Sequence, residues 1–262
     1  MYEYDNLLVN TNAEGITTVT VNRPRFLNAL DTHTLIEMKD CFNKLATDEN
    51  TKALLVRGAG EKAFVAGADL GAMSTMTAVE ARKFSILGHD VFDAIERLPY
   101  AVAAAINGYA LGGGCELALA CDFRFASTTA KFGQPEVNYG IIPGFGGSQR
   151  LARLIGKGIA KEMIYTGEMI DAQEAYRIGL VNQVYHPEEL YDATERVLRT
   201  IVKKAPLAIA SAKDAINKGL SMDLNSGLSY EAQAFGNCFA TLDQKEGMNA
   251  FLEKRKPVFR SK

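Results

Sequence analysis

The chain has 262 residues, 47% of them hydrophobic, enough for one large core or a core with a smaller helical appendage. Its formal net charge of −2 provides no overall basic field to favour nucleic acid or an anionic membrane. The one short basic run, Lys254-Arg255-Lys256, reads as a solvated helix end.

The N-terminal stretch MYEYDNLLVNTNAEG is mixed and acidic, unlike a signal or transit peptide, and no apolar run approaches the ~18 residues of a membrane helix. The expectation is a soluble, cytoplasmic protein with no membrane partner. Ile16-Thr17-Thr18-Val19-Thr20-Val21 is β-branched and reads as a strand, broken by Pro24. Asp31 or Thr32 then caps a helix through Leu35, Met38 and Phe42. Residues 53–56 and 63–67 form short apolar runs, as in strands covered on both faces. A helix over 78–98 sets Phe84, Leu87, Val91, Ile95 and Leu98 on one face, and 101–106 reads as a buried strand. Beyond Arg150 the pattern turns helical, with candidates at 159–165, 172–178, 188–204, 206–218, 224–239 and 244–254. This predicts an α/β core over residues 1–200 and a helical C-terminal lobe over 201–262.

Cys41, Cys115, Cys121 and Cys238 form no Cys-x-x-Cys pair and read as buried, reduced thiols. His33, His89 and His186 are too dispersed to suggest a metal, and His33 and His186 read as surface residues.

The segment from Ile106 to Ala120 is the most informative. A buried strand ends at Asn107-Gly108, the run Gly112-Gly113-Gly114 follows, and an Ala/Leu-rich helix begins. Glycines there uncover backbone N–H groups at a helix start, which can hold a phosphate or a developing enolate oxygen; a tight turn without a ligand fits equally well. Neither this run nor Pro143-Gly144-Phe145-Gly146-Gly147 matches the dinucleotide or Walker glycine patterns. A second turn, Ala66-Gly67-Ala68-Asp69-Leu70, can present the N–H of Ala68. Two such donors converging on one oxygen would make an oxyanion hole.

Glu116 lies in an otherwise apolar helix, and Glu136 in the turn Phe132-Gly133-Gln134-Pro135-Glu136. Two carboxyl groups brought together can divide acid and base roles, as adding water across an activated C=C requires. A structural ion pair for Glu116 and a solvated loop position for Glu136 remain open on these grounds.

Asn28-Ala29-Leu30, Ala66-Gly67-Ala68-Asp69, the 107–117 segment, Phe132 to Glu136, Ile142-Pro143-Gly144 and the 246–255 stretch together resemble the enoyl-CoA hydratase/isomerase (crotonase) family, in order and over essentially the whole chain. The resemblance implies a spiral of repeated ββα units followed by helices that make trimer contacts and cover the active site, with two trimers stacking into a homohexamer. It implies that Ala68 and Gly113 hold the thioester oxygen, Glu116 activates water, and Glu136 exchanges the α-carbon proton. A glutamate at both positions favours hydratase chemistry, and the pattern is most similar to the short-chain hydratases, which implies reversible hydration of trans-2-enoyl-CoA, crotonyl-CoA above all, to (3S)-3-hydroxyacyl-CoA. Enoyl isomerisation is the rival chemistry, and a non-catalytic RNA- or protein-binding member a rival of another class. Arg25, Leu27, Ala66, Gly67, Ala68, Asp69, Leu70 and Gly113 would contact the acyl-CoA, with Phe251 and Lys254 reaching the adenine end from a neighbouring subunit. The resemblance implies neither metal nor cofactor, coenzyme A being part of the substrate. Gly71 to Val79, with Met73 and Met76, is expected to border the acyl pocket or to supply core filler.

Overall fold

The computed structural model describes residues 3–260. The chain opens with an antiparallel hairpin, β1 (Leu7–Thr11) and β2 (Ile16–Val21), followed by helix α1 (Thr32–Leu45). Asp31 is the residue that caps α1, its side chain accepting the N–H of Thr34 at 2.8 Å. Three turns of similar build come next. The first has β3 (Ala53–Gly58), β4 (Ala63–Val65), a short α2 (Leu70–Met73) and α3 (Ala78–Glu96). The second has β5 (Ala101–Ile106), β6 (Tyr109–Leu111) and α4 (Gly113–Ala120). The third has β7 (Phe123–Ser127), β8 (Lys131–Gly133), α5 (Gly147–Ile155) and α6 (Lys157–Thr166). The remainder is β9 (Ile170–Asp171), α7 (Ala172–Arg177), β10 (Gln183–Tyr185) and the helices α8 (Leu190–Ile201), α9 (Pro206–Gly219), α10 (Leu224–Cys238) and α11 (Leu242–Leu252).

The first strand of each turn joins a large sheet ordered β1-β2-β3-β5-β7-β10, and the second joins a small sheet ordered β4-β6-β8-β9. β3, β5 and β7 pair in parallel, as do β4, β6 and β8. The chain therefore climbs as a spiral, one strand spacing per turn, as the repeated ββα expectation requires.

Burial explains the strand composition. Every residue of β5 is buried, with alternate side chains serving two cores. Val102, Ala104 and Ile106 face a core filled by Leu35, Met38 and Phe42 of α1 and by Val91, Phe92 and Ile95 of α3. Ala101, Ala103 and Ala105 face the other side, where Leu190 and Leu198 of α8 pack with Leu55 and Phe125. Helix α3 begins at a capping box in which Thr77 and Glu80 satisfy each other's backbone N–H.

Several elements are absent from the sequence-based expectation. β6, β8 and β10 have three residues each, too few for a periodic signal. α5 is preceded by Gly146, which offers no side-chain cap, so the usual start signal is missing. Among the thiols, Cys41, Cys115 and Cys121 are buried, while Cys238 is only partly so, and all four are free. Burial pushes those three thiols up to about 12. His33 and His186 are exposed.

Helices α9 and α10 pair with each other and bury no residue completely. Lys213 ties α9 to the core, reaching Tyr100 O at 3.1 Å and Asp122 Oδ2 at 3.0 Å. Among the described residues no helix is long and apolar enough to cross a membrane.

Candidate active site

Each turn of the spiral delivers its contribution just after the second strand. Residues 66–70 follow β4, Gly112 and α4 follow β6, and Gln134 and Glu136 follow β8. Because β4, β6 and β8 are neighbours in one sheet, all three connections leave the same edge side by side.

The first two connections are pressed together by missing side chains. A Cβ on Gly114 would stand 1.8 Å from the carbonyl oxygen of Val65, so only glycine lets the first turn of α4 meet the end of β4. The same approach sets the N of Ala68 3.5 Å from where a Cβ of Gly113 would lie. Residues 27–30 brace the Ala68 loop: Ala66 N donates to Leu27 O (3.0 Å), Leu30 N to Gly67 O (2.8 Å) and Asp69 N to Leu30 O (2.9 Å). The N–H of Ala68 takes no part in this bracing. Gly113 is the first residue of α4, so its N–H has no partner in a preceding turn. Two backbone donors thus sit side by side at a helix start that favours negative charge.

Glu116 is 1% exposed, and its Oε1 accepts the N–H groups of Phe145 (2.8 Å) and Gly147 (2.6 Å). The second lies at the N-terminus of α5. The glycine-rich segment that fails as a phosphate loop therefore does bind an anion, the chain's own carboxylate. Glu136 stands in a 3-10 turn, Pro135–Tyr139, with its carboxylate against Gly112; a Cβ there would lie 2.6 Å from Oε1. With its NH2 turned to the carboxylate, buried Gln134 donates to both Glu136 oxygens at 3.1 Å.

Burial pushes Glu116 up to about 7, and the nearby Glu136 charge adds to this, against the two amide donors and Arg150. Burial likewise raises Glu136 to about 7. Backbone donors and the Arg150 charge favour the anion on Glu116 and Gln134 favours it on Glu136, so near neutrality the pair can hold one proton between them. One acid and one base near neutrality, beside two amide donors, can take a proton from water and give one to carbon.

Ala68, Gly113, Glu116 and Glu136 line one cavity of about 690 Å3, with Gln134, Gly147 and Arg150 behind its wall. Of the residues marked in the sequence, Ala66, Gly67, Ala68, Leu70, Gly113, Glu116 and Glu136 border it, as does Met73. Met76 packs against the core instead. Arg25 and Leu27 lie in the exposed segment beside the Ala68 loop, outside the lining. Asp69 is also outside it, because its carboxylate caps α2 (Gly71 N 3.1 Å, Ala72 N 3.3 Å) and faces Arg23. Phe251 and Lys254 sit at the exposed end of α11 and do not border the cavity of their own chain. Sequence reasoning missed the amides of Phe145 and Gly147, Gln134, and the wall that Phe84 and Phe145 supply. The Gly144-Phe145-Gly146-Gly147 run is the sequence signal for the amides, since an internal anion can occupy such a turn as well as a ligand can. Among the described residues one group has metal-ligand types, Asp5, His33 and Glu37, away from this lining. Glu37 already accepts the N–H groups of Asp5 (2.7 Å) and Asn6 (2.9 Å).

The chain is similar to known proteins over its whole length. A crotonyl-CoA hydratase of Syntrophomonas wolfei is 51% identical over 259 residues, covering 99% of each chain. A short-chain-enoyl-CoA hydratase of Clostridium acetobutylicum is 50% identical over 254 residues, covering 97% of each. A crystal structure of an enoyl-CoA hydratase from Bacillus anthracis superposes with a TM-score of 0.95 at 41% identity, over 98% of this chain and all of that one. The enoyl-CoA hydratase/isomerase family profile matches residues 11–262, and with a spiral of the same build the chain belongs to that family.

Proposed function

We propose that the chain is a short-chain enoyl-CoA hydratase, a hydro-lyase that reversibly adds water to trans-2-enoyl-CoA, crotonyl-CoA foremost, giving (3S)-3-hydroxyacyl-CoA. The observation that carries this reading is the pair Glu116 and Glu136, both raised to about 7 in one cavity beside two backbone donors. The names of the two relatives at about half identity support it.

The N–H groups of Ala68 and Gly113 hold the thioester oxygen and stabilise the charge that grows there as water attacks. Glu116, as carboxylate, takes a proton from water while the oxygen bonds to C3. Glu136, protonated, delivers its proton to C2, and the pair resets by passing the gained proton on. Losing one oxyanion donor costs about 3 kcal/mol of barrier, roughly a hundredfold in rate. Proton transfer and amide donors suffice, so the reading calls for no metal or cofactor beyond the coenzyme A of the substrate. Arg25, Leu27 and Asp69 would flank the CoA arm, and Phe251 and Lys254 would serve a neighbouring subunit's site.

Residues 201–262 form the lobe for subunit contacts in a cytoplasmic homohexamer; exposed Leu220, Leu224, Leu228 and Phe235 support a covered face there. The test is turnover of crotonyl-CoA, followed as loss of the conjugated enoyl-thioester absorbance. Glu116→Gln and Glu136→Gln are each expected to lower kcat by orders of magnitude while CoA binding survives. Normal hydration by either variant would overturn that residue's role, and loss of a Δ3-enoyl substrate without any hydration would favour isomerisation.

A further inference from the structure

The amides that aim Glu116 belong to a loop, and something must hold the loop. Residues 143–147 carry three glycines, so the segment has little intrinsic stiffness. Gly146 lies in the left-handed region at φ 108°, between the two donors. The carbonyl of Phe145 belongs to the peptide that joins Phe145 to Gly146. It accepts from Nη1 of Arg150 at 3.1 Å, one helical turn into α5. A Cβ on Gly146 would come within 2.3 Å of the same Nη1, so the guanidinium rests on the bare glycine.

Arg150 is itself held from outside the loop. Its Nε and Nη2 form a fork on Glu96 at 2.7 and 3.0 Å, and Nη2 also reaches Asp93 Oδ1 at 2.8 Å. Both acids stand on α3, which packs in the main core. The Arg150 side chain is 17% exposed and its acids about 40%, so what distinguishes the contact from a loose surface pair is the two-pronged, charge-assisted fork and the carbonyl bond on its other side. A second tether, Ser85 Oγ to Gly144 O at 2.5 Å, also comes from α3.

We propose that Arg150 is a positioning residue: gripped by Asp93 and Glu96, it fastens the Phe145–Gly146 peptide and so keeps both amides aimed at Glu116. The inference rests on Glu116 acting as the base in the function proposed above. Around Glu116 the charged groups are Glu136 from the 3-10 turn and Arg150 from α5. Around Arg150 they are Asp93 and Glu96 of α3, with Arg97 on the far side of Asp93 at 3.3 Å and His89 on the same helix lining the cavity. Removing Arg150 takes away a cation and loosens two donors, all of which favour the Glu116 anion.

The test compares Arg150→Gln, Arg150→Lys and Glu96→Gln with the parent enzyme, using steady-state kinetics on crotonyl-CoA from acid to alkaline pH. In Arg150→Gln, kcat is expected to fall about tenfold or more with KM moved far less. The acid limb of kcat/KM is expected to move up by roughly half a pH unit. Arg150→Lys keeps the charge but not the fork, so its acid limb stays near the parent's while kcat still falls. Glu96→Gln, which leaves Arg150 in place, should show the same loss of kcat in milder form and covers the case in which Arg150→Gln does not fold. Folded Arg150 and Glu96 variants with parental kcat and acid limb would overturn the proposal, as would a loss confined to thermal stability. Glu116→Gln assayed alongside separates the two readings. If it remains active, the hydratase mechanism fails; if it is dead while the Arg150 and Glu96 variants are normal, only the clamp fails.

Discussion

Gly114→Ala tests the close approach that brings together the two backbone donors proposed to hold the thioester oxygen. The added methyl would lie 1.8 Å from Val65 O, 2.7 Å from Val65 C and 2.9 Å from Val65 Cβ. All three atoms belong to a buried strand residue, two of them backbone, so no side chain can swing aside. Ordinary contact needs more than an ångström of further separation, and α4 must retreat from β4 by about that much. The N–H of Gly113 moves with α4 while that of Ala68 stays with β4, so the donors part. Misplacement on the order of 1 Å costs about a hundredfold in rate, close to the loss of one donor. Overpacking should also cost about 1–3 kcal/mol of stability. Kinetics on crotonyl-CoA, normalised to folded protein, would give the first figure and a thermal melt the second. Gly158→Ala is the control: it is exposed in α6, its methyl would meet nothing within 4 Å, and it should stabilise by about 0.5–1 kcal/mol. A Gly114→Ala enzyme with a lowered Tm but parental kcat would refute the idea that this contact sets the donor geometry.

The shared proton should appear as a bell-shaped pH dependence of kcat/KM centred near 7, because hydration needs Glu116 charged and Glu136 protonated; a flat profile from pH 5 to 9 would contradict it. Both carboxyls are raised, so their neutral forms contribute stability that is full below the ordinary carboxylate range and lost as pH rises through about 7. Glu136→Gln should therefore raise stability at pH 8 relative to the parent by on the order of 2 kcal/mol, seen as a higher Tm, and change it little at pH 4.5. Gly88→Ala would set a methyl 2.2 Å from the ring of Phe145, which Phe84 and Phe92 hold edge-on at 5.2 and 5.8 Å. The ring must shift toward the cavity, so a raised KM for crotonyl-CoA and a lower Tm are expected, and unchanged kinetics would show that the ring does not wall the acyl site.

The long elements were legible because each has a strong local cause. The 78–98 expectation matches α3 within two residues at its end, since its apolar stripe faces one core. The wholly apolar 101–106 run identified a strand covered on both sides. What escaped was either too short or too dependent on distant residues. β6 and β8 exist because neighbouring turns of the spiral pair with them, a fact no window of three residues contains. The carboxylates themselves were visible as Glu116 in an apolar helix and Glu136 after a turn. Their setting was not, because the partners of Glu116 come from residues 145 and 147, and the acids that hold Arg150 beside them come from α3. The capping work of Asp69 escaped for a different reason: the motif drew attention to substrate when the nearest open amides were two and three residues ahead.

The placement of the site residues after β4, β6 and β8 has a consequence for how such a chain can vary. Their separations are metered by the interstrand distance of the small sheet, about 4.8 Å per step, and not by the length of chain between them. Material added or removed at the far end of α6 or in the surface loops leaves that ruler untouched. A slip of one residue within β6, by contrast, would carry Gly113 and Glu116 out of step with both neighbours at once. Diversity in acyl group can therefore be explored through the outer helices while the reacting centre keeps its dimensions.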